Sequence, residues 1–310
     1  MAELASWNDG PAKTAVLEFL ERVTAGGSAG FVPPPARVAV LDNDGTLWCE
    51  RPNYVQAYFI LDRLREQAAA DPDLAADPVV EALLAGDLER AAAGGQDALV
   101  GVLLRTHAGL TTDEFIASAA RWFEAARHPR FGVPYTELTY RPMLELIDVL
   151  RACEFRVFIV TGGGVEFVRA VSEDLYGGAP ADVVGTAVEL SFERRDGRIE
   201  LVRLPRLLGS PNEGEPKALA IQQHIGRRPI FAAGNSAGDR EMLEHATSGP
   251  LPSLGIVVDH DDEVREYAYE SLSATDPNAE PILSSAARFG WTVVSMKRDW
   301  ATVFGAGLDP

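Results

Sequence analysis

The chain has few cysteines and no pattern of metal-binding cysteine and histidine. Its 310 residues contain only Cys49 and Cys153, which form no Cys-x-x-Cys pair, and no His/Cys cluster has the spacing of a zinc site. Cys49 has no recognisable histidine partner in the sequence. We therefore interpret it as a small buried thiol rather than a nucleophile.

Basic residues are scarce relative to acidic ones. Lys and Arg number 28 against 46 Asp and Glu, so the net charge is −18. A general nucleic-acid binder needs a basic footprint, which this chain lacks. A small phosphorylated metabolite stays compatible with this charge, because a local metal ion can reverse the field within a site.

Long apolar runs are also missing. No stretch approaches the ~18 apolar residues of a membrane span. The first twenty residues lack the basic segment and the apolar centre of a signal peptide. We therefore expect a cytoplasmic protein with no membrane partner, and the sequence leaves the oligomeric state open.

What the chain has is an apolar content of 46%, enough for a substantial core. Short apolar runs alternate with helical patterns, which predicts an α/β fold with a three-layer, doubly wound, mostly parallel sheet of the Rossmann-like kind. A helix is expected at 11–24. Residues 50–128 show no convincing strand, so we expect an all-helical cap there, inserted into a core formed by 1–49 and 129–310.

The stretch from Arg37 to Trp48 reads RVAVLDNDGTLW. Its short, β-branched apolar run predicts a buried strand, and Asp42 and Asp44 follow the carboxyl end of that strand, where open α/β sheets bind their ligands. Two carboxylates so close are costly unless a cation or a shared proton lies between them. A loop with acidic turn residues is the alternative interpretation.

Two further strand ends carry polar groups. The strand 155–160 ends in Thr161-Gly162, and a hydroxyl with bare backbone amides before a helix is suited to an anion. An ordinary glycine-rich turn would look the same. The strand 229–233 ends in a loop that contains Asn235 and Asp239.

Two residues are ambiguous by themselves. Lys217 opens a predicted helix, where a lone lysine is usually a solvated charge. His260 stands beside Asp261 and Asp262 after a predicted strand, and we interpret this group as a surface turn rather than a base or a metal site. The segment 183–192 and the segment 198–203 are expected to form a hairpin around Asp-Gly.

Taken in order, these motifs resemble the four signatures of the haloacid dehalogenase (HAD) superfamily. Asp42-Asn43-Asp44-Gly45-Thr46 is similar to the first, Thr161-Gly162 to the second, Lys217 to the third and the segment 234–239 to the fourth. The helical cap after the first motif, of the C1 type, and the Gly-Asn-Ser-x-x-Asp pattern resemble the phosphoserine-phosphatase-like branch.

The resemblance implies a Mg²⁺-dependent phosphatase for a small phosphate monoester. Asp42 would be the nucleophile that forms an aspartyl-phosphate, and Asp44 the general acid and base. Thr161, Gly162 and Lys217 would hold the phosphoryl oxygens. Mg²⁺ would be bound by Asp42, the Asp44 carbonyl, and either Asn235 or Asp239, since an asparagine occupies the first acidic position of the fourth signature.

Three alternatives remain. The same core serves phosphotransferases and phosphomutases. A non-hydrolytic phospho-aspartate signalling module is disfavoured, because receivers are shorter and lack a cap. A C–halogen hydrolase is disfavoured by Asp44. Glu50 lies one position away from where phosphoserine phosphatases have the acid that contacts the substrate ammonium, so we do not infer specificity for phosphoserine. We interpret Arg51 and Arg141 as solvated or structural rather than as partners for a substrate carboxylate.

Overall fold

The core of the molecule is a sheet of six parallel strands in the order β3-β2-β1-β6-β7-β8. This computed structural model describes residues 3–93, 96–273, 276, 278–305 and 307–308. A separate antiparallel hairpin consists of β4 and β5. The strands are β1 (Val38–Leu41), β2 (Arg156–Gly164), β3 (Val183–Thr186), β4 (Val188–Arg195), β5 (Arg198–Leu207), β6 (Phe231–Gly234), β7 (Leu254–Asp259) and β8 (Thr292–Ser295).

The helices flank this sheet and fill the segment between β1 and β2. They are α1 (Pro11–Thr24), α2 (Val55–Ala70), α3 (Pro72–Ala75), α4 (Pro78–Ala85), α5 (Leu88–Ala92), α6 (Gln96–Arg105), α7 (Thr112–Ala125), α8 (Arg141–Ala152), α9 (Val165–Arg169), α10 (Ser172–Tyr176), α11 (Glu215–Ile225), α12 (Arg240–Thr247), α13 (Ile282–Phe289) and α14 (Met296–Asp299). In the described part of the chain, none is long and apolar enough to cross a membrane.

Both faces of the sheet are covered, which confirms the predicted three layers. Successive side chains of a strand point to opposite faces. Ala39 and Leu41 accordingly pack in one buried cluster with α1 and α8, whereas Val38 and Val40 pack in another with α11, α12 and α13. A strand buried on both sides has no polar face, and this explains why β1 is uniformly apolar.

The segment between β1 and β2 is helical, as the sequence predicts. Side-chain caps mark where two of its helices begin. Asp77 accepts hydrogen bonds from the backbone of Val79 and Val80 at the start of α4, and Thr111 and Glu114 form a reciprocal capping box at the start of α7. We call residues 55–125 the helical insertion.

The hairpin differs from the prediction in one respect. Its turn lies at Asp196-Gly197, as expected, with both residues at positive φ (49° and 78°). However, Val183–Thr186 forms β3 at the edge of the parallel sheet, so the predicted first arm contains two strands. The hairpin itself bonds to the helical insertion, since Arg203 exchanges backbone hydrogen bonds of 2.9 Å with Gly109 and Leu110.

Candidate active site

The first acidic loop lies at the carboxyl edge of the sheet, directly after β1. Asp42 is 5% exposed, and its backbone N–H donates to the Ala233 carbonyl of β6 at 2.9 Å. Gly45 has φ +71°, and a Cβ there would lie 2.0 Å from the Asn235 amide nitrogen. Glycine is therefore needed both for the backbone conformation and for the close approach of the two loops.

Lys217 holds two acidic loops together. It lies in the first turn of α11 and is 3% exposed. Its ammonium donates to Asp42 Oδ1 at 2.6 Å and also to Asp239 Oδ1. The structure thus gives this lysine two carboxylate partners, and it is not the solvated charge that a lone lysine at a helix start usually is.

The loop after β6 fixes Asp239 from the other side. Asp239 Oδ2 accepts hydrogen bonds from the backbone N–H of Asn235 at 3.0 Å and of Ser236 at 2.9 Å. The Asn235 side chain points elsewhere: its Oδ1 accepts from the Thr46 hydroxyl at 3.1 Å, and its Nδ2 donates to Glu50 Oε1 at 3.2 Å. Asn235 therefore contacts the first acidic loop, whereas Asp239 contacts the lysine.

The glycine-rich end of β2 forms the third side. The Thr161 hydroxyl accepts from the Gly163 N–H at 2.9 Å, and its proximity to Asp44 lowers the pKa of that carboxyl against the effect of burial. Asn212 donates to the Thr161 carbonyl at 2.9 Å. Gln56 of α2 accepts from the Gly164 N–H at 2.7 Å, so the helical insertion is bonded directly to this loop.

Burial dominates the electrostatics of the acids. It raises the pKa of Asp42 well above its usual value, and the neighbouring Asp239 adds to this, while Lys217 opposes it. Burial likewise raises the pKa of Asp44, against a hydrogen bond of 2.8 Å from the Trp48 indole. Burial disfavours the charged form of Lys217, but Asp239 and Asp42 outweigh it and raise the lysine pKa.

These acids fit a hard cation. Asp42, Asp44, Glu50 and Asp239 outnumber the single lysine among them, and burial also raises the pKa of Glu50. Among the described residues no three His, Cys, Asp or Glu side chains are grouped to hold a metal ion. Mg²⁺ does not require such a cage, because it is usually held by one or two carboxylates together with substrate phosphate and water.

A cavity of about 410 Å³ opens above these groups. Asp42, Asp44, Gly162, Lys217 and Ser236 line it at the sheet edge, and the other polar lining residues are Glu50, Tyr54, Gln56 and Glu213. Thr161 is fully buried behind this surface. The structure therefore brings the predicted residues Asp42, Asp44, Gly162 and Lys217 to one cavity and places Asn235, Asp239 and Thr161 in contact with them.

The interpretation of His260 as a surface turn is wrong. His260 is 2% exposed, and its Nε2 lies 2.8 Å from the Gly45 carbonyl. Its Nδ1 lies 3.3 Å from Glu266 Oε2. The signal that would have found it is its position directly after β7, because the carboxyl ends of parallel strands share one edge of the sheet.

Glu50 is a second residue whose place the sequence did not settle. It is 6% exposed and lines the cavity, and its Oε1 accepts from the Tyr269 hydroxyl at 2.8 Å as well as from Asn235. Cys49 is buried, as predicted, and its thiol donates to Glu266 Oε1 at 3.0 Å.

The chain belongs to the haloacid dehalogenase-like hydrolase family, whose model matches residues 39–244. That match includes most of β1, the helical insertion, and the residues Thr161 of β2, Lys217 of α11 and Asp239. A search of the sequence against curated proteins found no match.

A comparison with solved structures found matches at low sequence identity. A conserved, functionally unknown protein from Anaerococcus prevotii superposes with a TM-score of 0.52 at 15% identity, covering 81% of this chain and 86% of the other. A protein of unknown function from Bordetella pertussis gives 0.49 at 18% identity, covering 83% and 97%. A probable phosphoserine phosphatase from Vibrio cholerae gives 0.39 at 18%, covering 84% and 68%.

Proposed function

We propose that this protein is a Mg²⁺-dependent phosphatase that hydrolyses a small phosphate monoester through an aspartyl-phosphate on Asp42. The observation that carries the proposal is the contact of Lys217 with both Asp42 and Asp239 beside a cavity that Asp44 also lines. Family membership supports hydrolysis, and the second acid, Asp44, favours phosphoryl over C–halogen chemistry.

In the first half-reaction, an Asp42 oxygen attacks phosphorus and the bond to the alcohol oxygen breaks. Asp44 gives that oxygen its proton. The raised pKa of Asp44 suits this role, because the carboxyl must hold a proton when the alkoxide leaves. In the second half-reaction, Asp44 accepts a proton from water as it attacks the phosphorus of the intermediate, which releases phosphate and frees Asp42.

The remaining groups stabilise charge on the phosphoryl oxygens. Lys217 supplies a fixed positive charge, and the Gly162 N–H and the Thr161 hydroxyl are the donors at the end of β2. Mg²⁺, when bound, would neutralise charge between Asp42 and the phosphate. The residues that would hold it are Asp42, the Asp44 carbonyl and either Asn235 or Asp239. We propose residues 50–128 as a cap that covers this chemistry.

The test is release of phosphate from p-nitrophenyl phosphate with Mg²⁺ and with EDTA. We expect turnover only with Mg²⁺ and none with Asp42→Asn. Asp44→Asn should retain about 10⁻²–10⁻⁴ of the rate if it acts as a general acid. Asp148→Asn, on the exposed side of α8, is the matched control and should keep full activity.

Failure on this ester and on a panel of phosphorylated metabolites would refute hydrolysis. If Asp42 were still phosphorylated by a small phosphodonor in that case, the phosphotransferase or phosphomutase alternative would replace it, since those reactions share the first half-reaction.

A further inference from the structure

The cavity has a second wall that the proposed chemistry does not use. Away from the acids, it is lined by aliphatic side chains of α2, α4, α5 and α6, namely Ile60, Leu61, Leu83, Leu88, Leu99 and Leu103. These helices belong to the insertion, whereas the reactive groups come from the sheet edge. A hydrophilic substrate would leave this apolar surface in contact with water, so binding would not gain the free energy that comes from burying apolar area.

The same cavity offers no free cation to a substrate carboxylate. Among its described lining residues the only basic one is Lys217, which is already bonded to Asp42 and Asp239. Arg51 and Arg141 do not line it. The Arg51 guanidinium lies 4.0 Å from the Tyr269 ring centre, and Arg141 pairs with Glu145 at 3.2 Å.

This lining disfavours a phosphorylated amino acid. A carboxylate that is buried without a partner carries a large desolvation cost. Glu50, the acid nearest the reactive loop on this side, has its Oε1 occupied by the Tyr269 hydroxyl and the Asn235 amide. Glu213 also lines the cavity, beside Gly238 of the loop after β6, and its Oε1 accepts from the Ser273 hydroxyl at 2.6 Å. Apart from the acids, Lys217, Tyr54, Gln56 and Ser236, the described lining residues are apolar or glycine.

We propose that the substrate is the monophosphate ester of a lipophilic alcohol, with its phosphate at Asp42 and its hydrocarbon chain against the aliphatic wall. This inference rests on the proposed phosphatase function and names its substrate class. Hydrolysis breaks the P–O bond to the alcohol, with water supplying the oxygen that phosphate gains and the proton that the alcohol gains. The volume of about 410 Å³ is within the range of cavities that enclose small ligands.

The test is kcat/KM for ethyl, butyl, hexyl and octyl phosphate, below the concentration at which they form micelles, with phosphoserine for comparison. Each methylene that leaves water should raise kcat/KM about fourfold, so octyl phosphate should exceed butyl phosphate by roughly 10²-fold if all four methylenes are buried. Phosphoserine should be turned over more slowly than hexyl phosphate.

Two exposed leucines form a matched pair of variants. Leu88 lines the cavity and is 58% exposed, and Leu219 lies on α11 outside it and is 61% exposed. Leu88→Gln should reduce the increase in kcat/KM that each added methylene gives, whereas Leu219→Gln should leave that increase as in the wild type. Because both sites are exposed, neither variant is expected to unfold the protein.

Turnover that is independent of chain length, or that is fastest with phosphoserine, would overturn the substrate class and leave the phosphatase function standing. If no ester is hydrolysed, the phosphatase function fails. Binding of butyl and octyl phosphonate to the wild-type protein then decides whether the cavity takes a lipophilic ligand. Tighter binding of the octyl compound, weakened in Leu88→Gln, would support the lipophilic site; equal binding would refute it.

Discussion

Replacing Asn235 with aspartate would show whether Asn235 or Asp239 is the metal ligand in the loop after β6. Asn235 has an amide at a position where the fourth HAD signature has an acid. Its Nδ2 donates to Glu50 Oε1 at 3.2 Å. An aspartate there would keep an acceptor for the Thr46 hydroxyl but would place a carboxylate against Glu50. Without a cation between them, two buried carboxylates at this distance repel.

The size of the effect follows from that distance. Two unit charges 3.2 Å apart repel by about 5 kcal/mol at an effective dielectric constant of ~20. The protein can avoid this repulsion by protonating Glu50, which at pH 7 would cost about 4 kcal/mol from an ordinary glutamate pKa. The cost is smaller here, because burial raises the pKa of Glu50. The smaller value sets the limit, so Asn235→Asp should lower the free energy of unfolding in EDTA by up to about 4 kcal/mol.

The assay is urea unfolding in EDTA and in saturating Mg²⁺. If Asn235 lies at the metal, Mg²⁺ should restore most of the stability that Asn235→Asp loses, because the ion neutralises the added charge and gains a stronger ligand. Asn235→Ala is the control that adds no charge: it loses the hydrogen bond to Glu50 and also the one from the Thr46 hydroxyl, about 1–3 kcal/mol for each polar partner left unpaired. Equal destabilisation of Asn235→Asp in EDTA and Mg²⁺ would refute a metal role for Asn235 and favour Asp239.

Two further predictions concern the helical insertion. Burial against Phe59 lowers the pKa of His107 to about 3, so the folded protein keeps this histidine neutral while the unfolded chain binds a proton. The stability that neutral His107 contributes is complete above pH 6.5 and is lost as the pH falls towards 3, about 2 kcal/mol of it by pH 5. In urea unfolding at pH 7 and pH 5, the free energy of unfolding should therefore fall less in His107→Gln than in the wild type. An equal fall in both proteins would contradict this. Thr111→Ala removes the capping box with Glu114 and should cost about 0.5–2 kcal/mol in thermal unfolding, with Thr112→Ala costing less.

Local patterns in the sequence predicted local structure well. α1 begins and ends at the predicted residues, and β1 is the buried strand predicted before Asp42. The helix starts at Asp77 and Thr111 are capped by their own side chains. These features depend on residues within one turn or one strand of each other. Proline in the first helical turn, side-chain oxygens at helix starts and β-branched runs act through contacts that the sequence itself specifies.

The misinterpreted residues depend on distant contacts. His260 and the Gly45 carbonyl are 215 positions apart in the chain, and nothing beside His260 indicates that pairing. The first hairpin arm is similar, since Val183 and Val184 pair with Ile159 and Val160 of β2, 24 positions earlier in the chain. A polar residue in a predicted turn is ordinarily exposed, and only the position of β7 within the sheet makes this turn part of the interior.

Chemistry and specificity differ in how far the sequence reveals them. The reactive loops begin at strand ends, and a parallel sheet brings strand ends to one edge regardless of the chain length between them. Residue type at those ends, such as Asp42 or Lys217, therefore indicates a reaction. The aliphatic wall is made of leucines that helical periodicity assigns equally well to a core. Only the cavity they leave between them distinguishes Leu99 and Leu103 from packing residues, so the chain length that fits the site has to be measured rather than inferred from a motif.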